Sequence, residues 1–407
     1  MIENLKTYAF NADRPLESYK KSDSGFLVAT ILLWGLGMFT LVICSQNYAS
    51  RLYGKPFYFV TRQLISSAIG FVGFLAFCFV DIKIIRDKFL APMCLSILLL
   101  CILTFVPGIS ETRNGAARWV KLFGGMTLQP SELAKFGICL FLGNLFEKKQ
   151  KALNDDDVTM APGAFGLVLV TVIVFAQKDL STGLFIFVLG VTMFVVAGMR
   201  LMWLIPTLIA GGIALTIMVF SEEYRIQRIL GWLHKDEPAL GQGINYQSLN
   251  AERAISSGGI LGSGIGSDFV RLNSIPEVQS DYIFAGWTEA MGFVGVLIYI
   301  ALLVFFAWKG FSIALRSKNR FASYAAFGCV FSIVFQSVIN LGVVSGAFPT
   351  TGIPLPFFSL GGSSIMVTLA MCGFVLNASR CTDEEEELFE IDNKNSYTTV
   401  NIEDIYE

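Results

Sequence analysis

The stretch Gly25–Ser45, GFLVATILLWGLGMFTLVICS, decides the class of fold. It carries no charged side chain, and about 20 apolar residues are what a helix needs to cross the hydrocarbon core of a bilayer. Working outward, comparable runs follow at 58–80, 89–107, 132–147, 162–177, 180–198, 202–220, 282–308, 322–345 and 361–380. The pattern predicts an all-α integral membrane protein of about ten transmembrane helices, with a large extracytoplasmic loop between helices 7 and 8. Composition agrees: of 407 residues, 54% are hydrophobic and 15% charged, where a soluble domain has about a quarter charged. Mean hydropathy is +0.61.

Three regions follow: a cytoplasmic N-terminal segment at 1–24, the polytopic domain at 25–380, and an acidic tail at 381–407. The N-terminal segment is polar and mixed in charge, unlike a cleaved secretory signal, so the first run reads as an uncleaved signal anchor. Basic residues cluster in alternate short loops, among them Lys83, Arg86 and Lys88, then Lys148, Lys149 and Lys151, then Lys309, Arg316, Lys318 and Arg320. The bias places those loops, and with an even span count both termini, in the cytoplasm. The tail, Asp383–Glu387 and beyond, reads as disordered and solvated. Eight cysteines lie in or beside apolar runs without a CxxC spacing, which fits small packing residues rather than a disulfide framework or a metal site. A net charge of −2 gives no sign of nucleic-acid binding.

Three segments fall on the outer side. Residues 107–131 are Gly-rich with Arg113, Arg118, Trp119 and Lys121. Residues 221–281 form the longest loop, and 346–360 combine Pro349, Pro354 and Pro356 with glycine in an apolar context. Proline-broken backbone at membrane depth must be buried in protein or line a cavity, so the three segments are expected to build one composite site.

Ionisable groups near a membrane are functional candidates. Glu132 and Lys135 are three apart on one helix face, either as an intrahelical pair or as a site wall. Ser131 is a candidate N-cap, and Asp179 and Asp281 open helices where each could cap or act chemically. Glu289 lies eight residues beyond Asp281, about two turns inward on an apolar helix, and needs a partner there. Arg118 and Lys121 flank Trp119; an interfacial Trp is an ordinary anchor, while two cations beside it suit a phosphate-bearing headgroup. Arg271 could join them. The glycines at 258–266 permit tight turns but form a weak phosphate-loop signal, since no strand precedes them. There is no GxxxxGK[ST], and one histidine, His234, supports neither a His-based metal site nor a Ser–His–Asp set. Carboxylate acid–base chemistry is the main option left.

Five ordered blocks carry a family resemblance. They are Asn114–Trp119 with Gln129–Lys135; Gln177–Thr182; Ile275–Ala285 with Glu289 and Gly292; Asn340–Gly342; and Thr351–Phe357 leading to Gly361–Ser364. Together they resemble the SEDS family (shape, elongation, division and sporulation proteins, typified by FtsW and RodA), over roughly residues 25–380. Lys178 and Ser181 stand where that family usually has Pro and Gly, Gln279-Ser280 where it has His-Thr, and Ser274 and Leu360 where it has tyrosines.

The resemblance implies a peptidoglycan glycosyltransferase that polymerises lipid II, a polyprenyl diphosphate-linked disaccharide peptide, at the outer face of the bacterial cytoplasmic membrane. It also implies a class B penicillin-binding protein as partner, with other divisome or elongasome membrane proteins. Asp281 falls on the family's proposed catalytic Asp, and Arg118, Glu132, Lys135, Asp179 and Arg271 on its substrate-site positions; Lys121 and Glu289 complete the candidate set. No cofactor is certain; a divalent cation, Mg or Mn, could assist the leaving diphosphate. The alternatives are a lipid II flippase, which calls for polar groups deep in several helices, and a non-catalytic scaffold. Asn114-Gly115 leans to the division type.

Overall fold

The computed structural model describes residues 22–113, 116–121, 127–149, 161–198, most of 209–220, 223–234, 246–264, 275 and 278–381. Nine of the ten expected spans coincide with a helix whose bounds lie among the described residues, and the described part of the seventh is helical as well. The nine are α1 (Ser24–Tyr53), α2 (Tyr58–Phe79), α3 (Leu90–Leu103), α4 (Pro130–Lys149), α5 (Ala161–Ala176) and α6 (Leu180–Val196), and then, past two helices of the long loop, α9 (Ile283–Arg316), α10 (Arg320–Val344) and α11 (Gly362–Ala378). Within the long loop lie α7 (Glu223–Leu233) and α8 (Tyr246–Gly258). The seventh expected span, the N-terminal segment before residue 22, the acidic tail, Arg271 and Gly266 fall wholly or largely outside the described residues.

Among the described residues four helices, α1, α2, α9 and α10, are long and apolar enough to cross a membrane by length and composition alone. Their outward faces carry Val28, Leu32, Val72, Leu75, Leu297 and Val304, all exposed. Such a surface is stable only in contact with lipid or another apolar partner.

The core is aromatic and small-residue in character. Phe26, Phe146, Phe306, Phe321, Phe358 and Phe374 are fully buried, and Phe146 meets Tyr324 edge-on at 5.5 Å between centroids. Without a hydrophobic gain between helices inside lipid, close approach and polar contacts must hold the bundle. Gly37 of α1 illustrates this, because a Cβ there would overlap the carbonyl of Phe357. At the end of the bundle away from the 107–131 segment, Arg86 joins Asp87 at 2.9 Å and Glu147 at 2.7 Å. The Arg86 hydrogen bond holds the Asp87 carboxyl below its ordinary range. Asp23 caps α1 through the N–H of Phe26 and meets Lys309 at 3.4 Å.

Two of the segments between the helices have more structure than a loop reading gives. Residues 107–131 contain a three-stranded antiparallel sheet, β1 (Ser110–Arg113), β2 (Ala116–Lys121) and β3 (Thr127–Leu128), in the order β1-β2-β3. A bulge falls between Glu111 and Thr112. The segment at 258–264 meets a break in α9. Gly292 has φ 63° and ψ −162°, and the backbone groups freed there pair with the loop: Ser263 N with Glu289 O at 2.9 Å, Phe293 N with Gly259 O at 2.9 Å, Val294 N with Ile260 O at 3.1 Å. A helix can break in an apolar setting only if such partners exist.

Candidate active site

Four elements bring polar side chains to one end of the bundle. Helix α4 begins with Pro130, whose fixed φ and missing N–H suit the first helical position. Ser131 therefore lies inside the first turn and is not the N-cap; its buried hydroxyl has no hydrogen-bond partner. Glu132 and Lys135 then stack one turn apart, with Nζ 2.8 Å from Oε2, at 4% and 3% exposure. Lys135 also donates to Gln336 Oε1 at 2.7 Å and lies 5.1 Å from the Phe185 ring centroid. The intrahelical pair is thus real, and it also forms a wall.

Asp179, in the turn between α5 and α6, does three jobs. It caps α6 by accepting from Thr182 N at 3.3 Å, accepts from Gln129 Nε2 at 3.1 Å, and faces Arg118 Nη1 at 3.8 Å. Arg118, carried by β2, donates to the carbonyl of Lys178 at 2.6 Å. Lys178 has φ 63°, a conformation closed to proline. Lys178, where the resemblance implies Pro, thus forms a left-handed turn that presents this carbonyl to Arg118.

These groups line a cleft of about 390 Å³ in all, open to solvent, with Trp119, Thr182, Phe185, Gly352, Ile353 and Pro354 completing it. Asp281 does not line this cleft; it stands behind the 352–354 segment, where a Cβ on Gly352 would lie 3.7 Å from its Oδ2. Asp281 is no helix cap either. Helix α9 starts at Ile283, with Tyr282 at the cap position and no side-chain cap bond. Consequently Asp281 and Glu289 do not share a helical face.

Two amides missing from the expected site residues tie cleft and Asp281 together. Gln336 receives Lys135 and donates to Pro354 O at 2.8 Å. Asn340, one turn on, donates to Asp281 O and Ile353 O, both at 2.9 Å. Their signal in the sequence is a pair of amides inside an otherwise apolar helix, which is costly without partners.

Of the expected residues, Arg118, Glu132, Lys135 and Asp179 come together, and Asp281 adjoins them across Gly352. Lys121 does not: it is exposed at the end of β2, in register with Thr127. Glu289 is 1% exposed, packed beside Gly258 of α8 and outside the cleft lining. Among the described residues no group of three His, Cys, Asp or Glu is placed to hold a metal ion. The carboxylates of the cleft are engaged by Arg118 and Lys135.

Fold and site define a polytopic helical membrane protein that gathers ion-paired side chains and a proline-rich loop at one membrane face. The chain belongs to the cell cycle protein family of FtsW, RodA and SpoVE, whose family model matches residues 24–384. A Geobacter metallireducens protein named probable peptidoglycan glycosyltransferase FtsW is 32% identical over 369 residues, covering 89% of this chain and 96% of that one. Stage V sporulation protein E of Bacillus subtilis is 33% identical over 87% of this chain and 96% of its own. A chain from a peptidoglycan synthase complex that coordinates polymerization and crosslinking superposes with a TM-score of 0.72 at 26% identity, covering 89% of this chain and 99% of that one. The rod shape determining protein RodA of Thermus thermophilus shares the fold, with a TM-score of 0.64 at 24% identity over 89% of this chain and 98% of that one.

Proposed function

We propose that this chain is a peptidoglycan glycosyltransferase that polymerises lipid II at the outer face of the bacterial cytoplasmic membrane, with both termini inside. Its partner is a class B penicillin-binding protein, and its role is of the division type. The observation that carries the site reading is Arg118. Its side chain is 31% exposed, it reaches over the cleft, and its Nε is a buried donor with no hydrogen-bond partner in the protein. Such a donor suits a phosphoryl oxygen. Lys135 is already engaged by Glu132 and Gln336, so its main part is to hold the wall, with Arg118 the cation that meets ligand.

In the reaction, Asp281 takes the proton of the acceptor sugar's 4-hydroxyl as that oxygen attacks the donor's anomeric carbon. The bond to the polyprenyl diphosphate breaks, and the leaving group departs with the electron pair, its charge met by Arg118. Among the described residues the carboxylates do not form a metal-ligand set; a divalent cation that assists would arrive with the diphosphate. A transport pathway finds less support. The buried charged residues among those described are Glu132, Lys135, Asp179 and Glu289 toward the cleft end and Lys318 at the other, with none midway.

The test is Asp281→Asn. Because the side chain caps no helix, folding and partner binding should be unchanged, while loss of the base should lower glycan formation about 100- to 10,000-fold. Product is measured from purified lipid II per folded molecule. Activity within a few-fold of wild type removes Asp281 as the base.

A further inference from the structure

The glycine-rich turn that follows α8 has no part in glycosyl transfer. Helix α8 runs alongside the first part of α9. Near its start, Ser248 Oγ lies 3.1 Å from Tyr282 OH. At its end, Gly258 packs so close to α9 that a Cβ would overlap the carbonyl of Thr288. The chain is thereby led down α9 to the break at Gly292, where the 258–264 turn is bonded in place. Ser263 donates to Glu289 O through both its N–H and its hydroxyl, and Gly264 N donates to Ala290 O at 3.1 Å. In return Phe293 and Val294 donate to Gly259 O and Ile260 O.

The depth of this turn follows from helix rise. Lys309 is the first charged residue of α9 after Glu289, and it meets Asp23, the cap of α1, at 3.4 Å. That contact marks the edge of the apolar layer away from the cleft. Phe293 stands about 24 Å of helix from Lys309, and the hydrocarbon layer is about 30 Å thick. Phe293 and the turn bonded to it therefore lie about 6 Å inside the cleft-side edge. Helix α1, packed beside α9, gives the same level. It is uncharged from Ser24 to Ser50, a run of about 40 Å, and a point about 24 Å from Asp23 falls well within it.

We propose that the 258–264 turn is re-entrant: it dips into the cleft-side leaflet and sets Ile260 and Leu261 against lipid acyl chains. Three observations carry this. Ile260 and Leu261 are 72% and 80% exposed, and the exposed Phe293, Val294 and Leu297 continue their surface along α9. Residues 254–267 hold no charged side chain, whereas Arg253 and Asp268 flank them. Non-helical backbone at membrane depth requires internal partners, and the bonds to the break in α9 supply them. Lipid acyl chains are the occupant because the same apolar surface runs on to Val304, in the middle of a spanning helix.

The unaltered full-length protein, one copy per phosphatidylcholine nanodisc, is irradiated with a phospholipid that carries a diazirine on its acyl chain, and adducts are mapped by peptide mass spectrometry. Adducts should appear at Ile260 and Leu261 as they do at Val304. Labelling at Val304 with none at 260–261 overturns the proposal. So do adducts at 260–261 that vanish when the protein is copurified with its membrane partner, which would give this face to a protein. A spin label at L261C measures depth by collision with oxygen and with a water-soluble nickel chelate, against V304C and the exposed K55C. The label should be relaxed by oxygen, as at V304C, at a depth of about 6 Å below the hydrocarbon edge. Relaxation by nickel to the extent seen at K55C overturns the proposal. Should a labelled variant fail to fold, the photolabelling of unaltered protein decides alone.

Discussion

Lys135→Met isolates the buried ion pair. The substitution keeps an unbranched apolar stem but removes the ammonium that lies 2.8 Å from Glu132 Oε2 and 2.7 Å from Gln336 Oε1. Glu132 would then stand without its cation at 4% exposure. Breaking a buried pair by removing one partner costs about 3–5 kcal/mol. The partner change, Glu132→Gln with Lys135→Met, removes both charges, and its total cost should be smaller than that of Lys135→Met alone. The assay is a double-mutant cycle on detergent-purified protein, with unfolding followed by tryptophan fluorescence. The expected coupling is at least about 2 kcal/mol, inside the range for residues in direct contact. Additivity of the two single changes within about 0.5 kcal/mol would show that the pair is not coupled, and the account of this wall would be wrong.

Three further outcomes follow from the same geometry. Arg118→Ala removes the donor to Lys178 O and the cation facing Asp179, so it should cost about 1.5–3 kcal/mol and also depress glycan formation per folded molecule; normal turnover at a lowered melting point would make Arg118 purely structural. Asp179→Asn keeps an acceptor for Thr182 N while Asp179→Ala does not, so Ala should be the less stable by about 0.5–2 kcal/mol in thermal unfolding, and equal stabilities would remove the cap. Gly292→Ala puts a Cβ at φ 63° against the Gly262 N–H and the Ile260 carbonyl; folded yield by size-exclusion chromatography should fall sharply, because the left-handed conformation alone costs about 1–2 kcal/mol, and wild-type yield would rule out the described break.

The multi-pass helical class was legible from runs such as 25–45, because in a bilayer each backbone polar group must be satisfied within its own helix and the apolar length is set by the membrane. The Glu132–Lys135 contact was legible too, since residues three apart on a helix are neighbours whatever surrounds them. Spacing along one chain says nothing about which segments meet. Only the packed structure set Arg118 against Asp179, brought Gln336 and Asn340 of α10 under the 352–354 segment, and left Lys121 outside. The short sheet at 110–128 escaped sequence reading because its strands are brief and its pairing partners are decided by register and by the bundle end beneath them. Asp281 resembled a helix cap until the fold started α9 at Ile283. Asn340 binds the backbone of residue 281 rather than its side chain, so α10 decides where that carboxylate stands, a long-range contact that no local pattern encodes.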